Sequence, residues 1–511
     1  MIDATPLVRP FAASRRRRLA RQEPLATQRA TLMRLIAAAR ATRFGRDHDF
    51  ARIASVEDFQ ALVPLRRYED FWRDYWQPSF PNLVDCTWPG RIRFFALSSG
   101  TTTGRTKYIP VSAAMSRANA RAGFDLIAHH LAARPDSRVF GGKIFLLGGS
   151  TSLTVEAPGI FSGDLSGIAA RTMPWWARPF AFPPTALALL ADWERKVERM
   201  ALLALDQDIR VLAGTPSWLL ILLARMAELR AARGEAGGPL PALELLVHGG
   251  VNFAPYRRRF EALVKTSGAE LREVYPASEG FIASADLGPR DGLRLNLDHG
   301  LFFEFVPVAE LDSATPTRHW LGNVETGVNY ALVLSSCAGL WGYVLSDTVR
   351  LVSRAPPRLL ITGRTSYMIS AFGEHLIAEE VEAAVAAAAA AIGADVSDYA
   401  MGAIYPEAGE RIGGHLYVVE FAKPEAADAI AYFAQAIDRA LAQANDDYRA
   451  HRGGEYGMAP PRVLAVEPGF FAAWMKSRGK LGGQHKVPRL ISDPALFAAL
   501  RAFAAANMEG R

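Results

Sequence analysis

Between Phe94 and Pro110 the chain reads FFALSSGTTTGRTKYIP, and the residue types there suit one task. An apolar, strand-like run (Phe94, Phe95, Ala96, Leu97) leads into Ser98, Ser99, Gly100, Thr101, Thr102, Thr103 and Gly104, and Lys107 follows. Small residues let a polyanion approach the backbone. The serine and threonine hydroxyls supply hydrogen bonds, and Lys107 adds a positive charge a short reach away. These are the requirements of a loop that holds ATP phosphates. The spacing is not that of G-x-x-x-x-G-K-[ST], which needs its lysine directly after the second glycine. Here Gly100 and Gly104 enclose three residues and Lys107 comes two residues late. An ordinary polar turn after a strand is the plainer reading of the same residues, and this stretch alone leaves both open.

Around that loop the chain alternates strand and helix. Leu25, Leu32, Leu35 and Ile36 give residues 24–44 an apolar stripe at helical spacing, broken by Phe44-Gly45-Arg46-Asp47. Ser55 with Glu57 and Asp58 starts a helix that Pro64 ends, and Tyr68 to Tyr75 reads as a packed amphipathic helix. A helix over about 112–133 follows the loop, its N-terminus able to face phosphates. Strand character resumes over 139–155, helices are expected at 185–204 and 216–233, and Leu243 to Val247 is a short buried strand. After a helix over 255–267, another strand ends at Val274-Tyr275. This order predicts a mainly parallel sheet covered by helices, with ligands collecting at the strands' carboxyl ends. Three small-residue motifs each follow a strand there: Ser98-Ser99-Gly100, His248-Gly249-Gly250 and Tyr275-Pro276-Ala277-Ser278-Glu279.

Short strands from 301 to 353 predict an antiparallel sheet or small barrel, with Asp347 at a tight turn. The character shifts again near Leu359 to Arg364. An alanine-rich helix at 377–392, strands within 400–421 and a helix at 429–444 precede a basic tail from Lys476 to Lys486. The expected fold class is therefore α/β. Residues 1–362 form a large N-terminal domain with mainly parallel sheets and a small β-rich subdomain, and residues 363–511 form a smaller α+β domain.

Composition narrows the class. A chain of 511 residues is too long for one compact core. Half of it is hydrophobic and 22% charged, ordinary for a soluble globular protein. The net charge of +6 is dispersed, apart from Arg15 to Arg18, which reads as a solvated helix face or tail rather than a nucleic-acid footprint. Two distant cysteines, Cys86 and Cys337, exclude a disulfide framework and a cysteine-rich zinc site. The apolar runs are too short to span a bilayer and no secretory segment is seen, so a cytoplasmic location without membrane association is expected.

Taken together, these segments resemble the auxin-responsive Gretchen-Hagen-type acyl acid amido synthetases of the adenylate-forming enzyme superfamily. The likeness rests on Ala41 to Gly45, Ser55 to Phe59 and Val63 to Asp70 near the start, and on Ser98 to Lys107 as a first nucleotide motif. Tyr275 to Glu279 matches a second, Leu340 to Val349 a third, and Gln484 to Arg489 the C-terminal ending. The resemblance implies ATP and Mg²⁺ as cofactors, with a small carboxylic acid and an amino acid as substrates. It implies that Ser98, Ser99, Gly100, Thr101, Thr102, Gly104 and Lys107 hold phosphates, and that Gly249 and Gly250 form a backbone shelf beside the adenine. Tyr275 would flank the base, Ser278 lie near the α-phosphate, Glu279 bind the metal, Asp347 accept from the ribose hydroxyls and Arg364 reach ribose or phosphate. A mobile C-terminal domain would deliver Lys486, favoured over Lys480, as the substrate carboxylate attacks the α-phosphorus.

The third motif departs from the family pattern. Gly342 and Val344 stand where arginines are usual and Ser346 where glycine is usual. Besides amide synthesis, two readings stay open: an acyl-CoA-type ligase sharing the adenylation step, and a nucleotide- or acyl-binding homologue that has lost catalysis. The identity of the acid and amine, and the oligomeric state, are not encoded in any motif.

Overall fold

The computed structural model describes the chain outside residues 1, 100–105, 149–152, 176, 189, 191–192, 236, 251–252, 254–256, 288–290, 312, 365–367, 370–375, 405–412, 446–447, 450–451, 453–457, 481–485, 492 and 510–511. It divides into two compact units, one of residues 1–251 and 260–361, the other of residues 252–259 and 362–511.

In the first unit, the strands Phe94–Ser99 and Thr106–Val111 pair antiparallel, Phe94 opposite Val111 and Ser99 opposite Thr106. They bracket residues 100–105 and belong to a four-stranded sheet in which Thr106–Val111 is an edge. The helix Ala113–Ala133 follows directly. Ser112 starts it: its Oγ accepts from the Met115 amide at 3.0 Å and donates to the Cys337 carbonyl at 2.5 Å. An N-cap that also bonds a distant carbonyl sets both where the helix begins and what it lies against.

A twelve-stranded sheet forms the frame of this unit. Its parallel part pairs Lys143–Leu147 with Ala181–Phe182 and Ile209–Gly214, then Ile209–Gly214 with Leu245–Gly249, and Leu245–Gly249 with Glu270–Ala277. At Glu270–Ala277 the direction reverses, because a two-residue turn, Ser278-Glu279, leads straight into the antiparallel strand Gly280–Ser284. The expected β-rich subdomain is the continuation of this sheet, through Leu293–Leu295, Pro357–Arg364, Tyr343–Arg354, Asn329–Ser336, Leu301–Pro307 and His319–Trp320. The strand Leu301–Pro307 is buried along six of its seven residues, so it carries apolar side chains on both faces and shows no alternation.

Several boundaries differ from expectation. The first expected helix ends at Ala39, and a separate short helix, Arg43–Asp47, is capped by Thr42. The strand expected from 139 begins at Lys143, and Ile209–Gly214 is a strand that the flanking helical patterns obscured. Tyr68–Phe71 is helical but widens into a π-turn over Trp72–Trp76, with Tyr68, Phe71, Tyr75 and Trp76 all buried.

The second unit has a four-stranded sheet in the order Ala459–Val466, Gly414–Phe421, Val396–Ile404, Leu490–Ile491. Successive side chains go to opposite faces. Tyr399, Met401, Tyr417 and Val419 meet the helices Ala378–Ile392 and Ala427–Ala444. Ala400 and Val418 meet Phe470–Ser477 and Pro494–Glu509 through Phe471, Trp474, Phe497 and Leu500. No helix among the described residues is long and apolar enough to cross a membrane.

Candidate functional site

Three of the sequence motifs meet in the first unit. Lys107 stands on the edge strand opposite Ser98, half-buried. Its Nζ lies 5.5 Å from the centre of the Tyr68 ring. Glu279, in the two-residue turn after Glu270–Ala277, is buried, and its Oε1 accepts from the Tyr343 hydroxyl at 3.2 Å. Burial pushes the Glu279 carboxyl toward its protonated form, and the charge of Asp347 adds to this, while Lys107 and the Tyr343 bond oppose it. Burial beside Glu279 likewise holds the Tyr343 hydroxyl well above the usual tyrosine range. Asp347 is buried, and its Oδ2 accepts from the Tyr275 hydroxyl at 2.5 Å.

The backbone explains the convergence. Gly249, at the carboxyl end of its strand, pairs with Val274, the neighbour of Tyr275. A Cβ on Gly249 would sit 2.3 Å from the Val274 carbonyl oxygen, so the two strand ends approach only because residue 249 has no side chain. Ser278 shares the turn with Glu279.

Asp347 corrects an expectation. It lies within the long strand Tyr343–Arg354, not at a turn. The register explains the irregularity: Ala331 opposes Thr348 and Val333 opposes Val344, so Leu332 alone spans Leu345, Ser346 and Asp347 on the other strand. Ser346, just before Asp347, takes φ 67° in this bulge. Bulges re-aim side chains, and this one turns Asp347 toward Tyr275. Ser346 thus adopts the conformation that glycine would supply at this position at lower cost.

The other departures in the third motif also have a structural setting. Gly342 has φ 55°, and a Cβ there would lie 2.7 Å from the Pro64 carbonyl oxygen and 3.6 Å from an Arg318 guanidinium nitrogen. Arg318 is fixed by both Glu304 oxygens, at 3.0 and 2.9 Å, and by the carbonyls of Gln60 and Val63. A cation from the segment just before His319–Trp320 therefore stands beside the position where an arginine was expected. Val344 is buried with Val306 and Val333.

Gly100, Thr101, Thr102 and Gly104 lie outside the described residues. Ser98, Ser99 and Arg364 are placed by their strands, the first two ending Phe94–Ser99 and the last ending Pro357–Arg364. Gly250 follows Gly249 with φ 83°. Lys480 and Lys486 belong to the second unit, and both are exposed. Lys486 precedes Arg489, whose guanidinium meets Glu382 at 3.4 Å and Asp398 at 3.7 Å, and whose carbonyl accepts from the Met401 amide at 2.7 Å.

The sequence reading missed Tyr343 and Tyr68 as site residues, although both sit inside the motif segments it used. It also missed Arg15. The basic run has the sequence of a solvated face, but Arg15 is largely buried, bonding both oxygens of Asp125 and both of Asp298 at 2.7 to 2.8 Å. His299 joins the same cluster through Asp125 Oδ2 at 2.7 Å. The group Asp125, Asp298, His299 has the donor types of a metal site, but the Arg15 guanidinium occupies it.

Comparison with known proteins completes the picture. Residues 15–163 match the GH3 family N-terminal domain, 295–364 its central domain and 379–495 its C-terminal domain. An indole-3-acetic acid-amido synthetase, GH3.8 of Oryza sativa subsp. indica, is 29% identical over 210 residues, 38% of this chain and 34% of that protein. The probable indole-3-acetic acid-amido synthetase GH3.9 of Oryza sativa subsp. japonica is 30% identical over 213 residues, 38% of this chain and 47% of that protein. The chain thus spans about a third to a half of the length of these curated relatives. The AtGH3.15 acyl acid amido synthetase in complex with 2,4-DB shares the fold at TM-score 0.78 and 18% identity, over 97% of this chain and 96% of that one. A 2-hydroxyisobutyryl-CoA ligase in the postadenylation state does so at TM-score 0.61 and 18% identity, over 94% and 92%.

Proposed function

This chain belongs to the GH3 family, and on that premise we propose that it is an ATP-dependent acyl acid amido synthetase. A substrate carboxylate oxygen attacks the α-phosphorus of ATP and pyrophosphate leaves. The amine of an amino acid then attacks the acyl carbon, AMP leaves and the amine loses a proton. What supports the reading is that Glu279 lies close enough to both Lys107 and Asp347 to feel their charges, although the three stand on a separate turn and two separate strands.

The first step brings two anions together, so fixed positive charge at the phosphates is the main requirement. Lys107 supplies it, and Ser98, Ser99, Thr101 and Thr102 are the hydroxyl residues assigned to the phosphates. Gly249 and Gly250 let the adenine lie on the backbone, with Tyr275 beside it. Asp347 receives the ribose hydroxyls, its orientation set by the Tyr275 bond. Ser278 lies near the α-phosphate and Arg364 reaches the ribose or phosphate. Glu279 fits a divalent cation: it is a buried hard-oxygen donor whose ionised form burial disfavours, and a bound cation reverses that preference. Mg²⁺ held there would neutralise phosphate charge. Residues 1–362 are then the adenylation domain, and residues 363–511 a mobile domain that brings Lys486 to the reacting phosphate, in a cytoplasmic enzyme.

The test is ATP–pyrophosphate exchange with a panel of aromatic, indolic and fatty carboxylic acids, with Lys107→Ala and Asp347→Ala alongside. Exchange with one acid, lost in both variants, is the expected result. Absence of ATP binding would overturn the assignment. The fold shared with a CoA ligase supports one alternative acceptor, so AMP release is followed with amino acids and with CoA. Release driven by CoA alone would replace the amide reading with a thioester one.

A further inference from the structure

We propose that Tyr68 is the positioning residue for Lys107, and that residues 66–68 hold the nucleotide hairpin and the third motif in one fixed relation. The proposal rests on the phosphate-binding reading of Lys107. The strand Thr106–Val111 is an edge of its sheet, with no strand beyond it among the described residues. Tyr108, next to Lys107, gives its amide hydrogen to the Tyr68 hydroxyl at 2.9 Å. The Tyr68 ring also lies beneath the Lys107 ammonium, 5.5 Å from centre to nitrogen. One buried side chain therefore fixes both the backbone after Lys107 and the far end of Lys107 itself.

Tyr68 has little freedom to move. Its ring stacks on Trp72 at 5.9 Å and 19° and meets Trp76 at 5.8 Å, and Trp72 in turn stacks on Tyr108 at 5.9 Å. Two residues upstream, Arg66 makes a bridge with Tyr343: its amide donates to the Gly342 carbonyl and its carbonyl accepts from the Val344 amide, both at 2.9 Å. Tyr343 is the residue whose hydroxyl bonds Glu279. The segment from 66 to 68 thus runs from the support of Glu279 to the support of Lys107.

The choice of an aromatic ring has a chemical reason. A carboxylate at this place would bond Lys107 and cancel the charge that the phosphates need. A ring face attracts the ammonium through its quadrupole without neutralising it, and the attraction is weak enough for the ammonium to turn to a phosphate.

The experiment uses the full chain with Tyr68→Phe, Tyr68→Leu, Lys107→Ala and the Tyr68→Leu/Lys107→Ala pair, and a fluorinated phenylalanine series at position 68. ATP affinity is measured by calorimetry, and the KM for ATP and for the acid by pyrophosphate exchange. Tyr68→Leu is expected to weaken ATP binding about 3- to 30-fold, the range of one cation–π contact, with the acid KM moved much less. The same change in the Lys107→Ala background should cost much less, only what the lost Tyr68–Tyr108 bond contributes, and Tyr68→Phe, which keeps the ring and loses that bond, should show the same small loss. Stepwise fluorination, which leaves ring shape intact, should weaken binding stepwise. Equal losses with and without Lys107, or no trend with fluorination, would overturn the proposal. A readout without ATP separates this inference from the functional one. In ¹³C-methylated protein the Lys107 methyl resonance should be shifted upfield by the Tyr68 ring and should lose that shift in Tyr68→Leu. A ring-shifted lysine in a protein that binds no ATP would refute the ligase reading and leave the positioning intact; an unshifted one would refute the positioning.

Discussion

Gly342→Ala isolates the steric demand at the third motif. Two terms follow from the structure. Residue 342 has φ 55°, where a non-glycine residue costs roughly 1–2 kcal/mol. The added Cβ would lie 2.7 Å from the Pro64 carbonyl oxygen, inside any normal contact. That oxygen cannot retreat freely, because the next residues are tied down by the two 2.9 Å bonds between Arg66 and the 342–344 backbone. Loosening one or both adds about 1–2 kcal/mol, so the total is about 2–4 kcal/mol. Gly327→Ala is the matched control: φ is 85° there, but nothing lies within 4 Å of its Cβ position, so only the backbone term of about 1–2 kcal/mol should appear. Urea unfolding followed by tryptophan fluorescence reads both, since Trp341 is fully buried beside the change. With unchanged m-values, the midpoint should fall further for Gly342→Ala. Equal losses would show that Pro64 yields and would refute the steric argument. Gly342→Arg, which restores the usual family residue, carries the same Cβ and should be no more stable than Gly342→Ala.

Arg15→Met should cost about 3–5 kcal/mol, because Asp125 and Asp298 lose the cation they share in a largely buried setting, while Arg16→Met on the exposed face should stay within about 0.5 kcal/mol in the same urea assay. Asp398 should make the second unit less stable as pH rises. Burial pushes its carboxyl up to about 6, against Arg489, so between about pH 4 and 6 the folded state binds more protons than the unfolded one. Stability should therefore fall across that window by up to about 3 kcal/mol, and Asp398→Asn should flatten the fall; the same slope in the variant would refute it. Burial holds the Cys86 thiol up at about 11 and Cys337 at about 12. Neither should react with a disulfide reagent at pH 8 in the native protein, and both should react in denaturant.

Local features of the chain were readable because the physics behind them is local. The strand before the serine- and threonine-rich loop shows as an apolar run, the strand Thr106–Val111 after it does not, and the next helix starts at Ser112 because a serine there can cap it. In the second unit the helices show through their composition and spacing, while the strand-like stretch 400–421 covers two strands, Val396–Ile404 and Gly414–Phe421, whose faces are both buried and so show no alternation. Of the motifs at the candidate site, the run from Ser98 to Lys107 was legible as residue types suited to phosphates, while the ribose and metal roles of Asp347 and Glu279 came from the family resemblance.

Tertiary structure decided everything that depends on partners far apart in sequence. Arg15 and Arg16 are alike in sequence, and only the arrival of Asp125 and Asp298, 110 and 283 residues away, makes the first a buried ion-pair centre. Tyr68 has the pattern of any amphipathic aromatic, and its role needs an edge-strand amide 40 residues on. Asp347 reads as a turn residue until the register with Asn329–Ser336 shows a bulge. Of the expected antiparallel sheet or small barrel, the structure has the antiparallel sheet, joined to the parallel strands as one sheet, because strand order is set by which edges meet and not by any stretch of residues. Periodicity, caps and turn residues are energies of neighbouring residues and are written in the chain. Pairing, register and the burial of charge are energies between distant residues, and they exist only once the chain has folded.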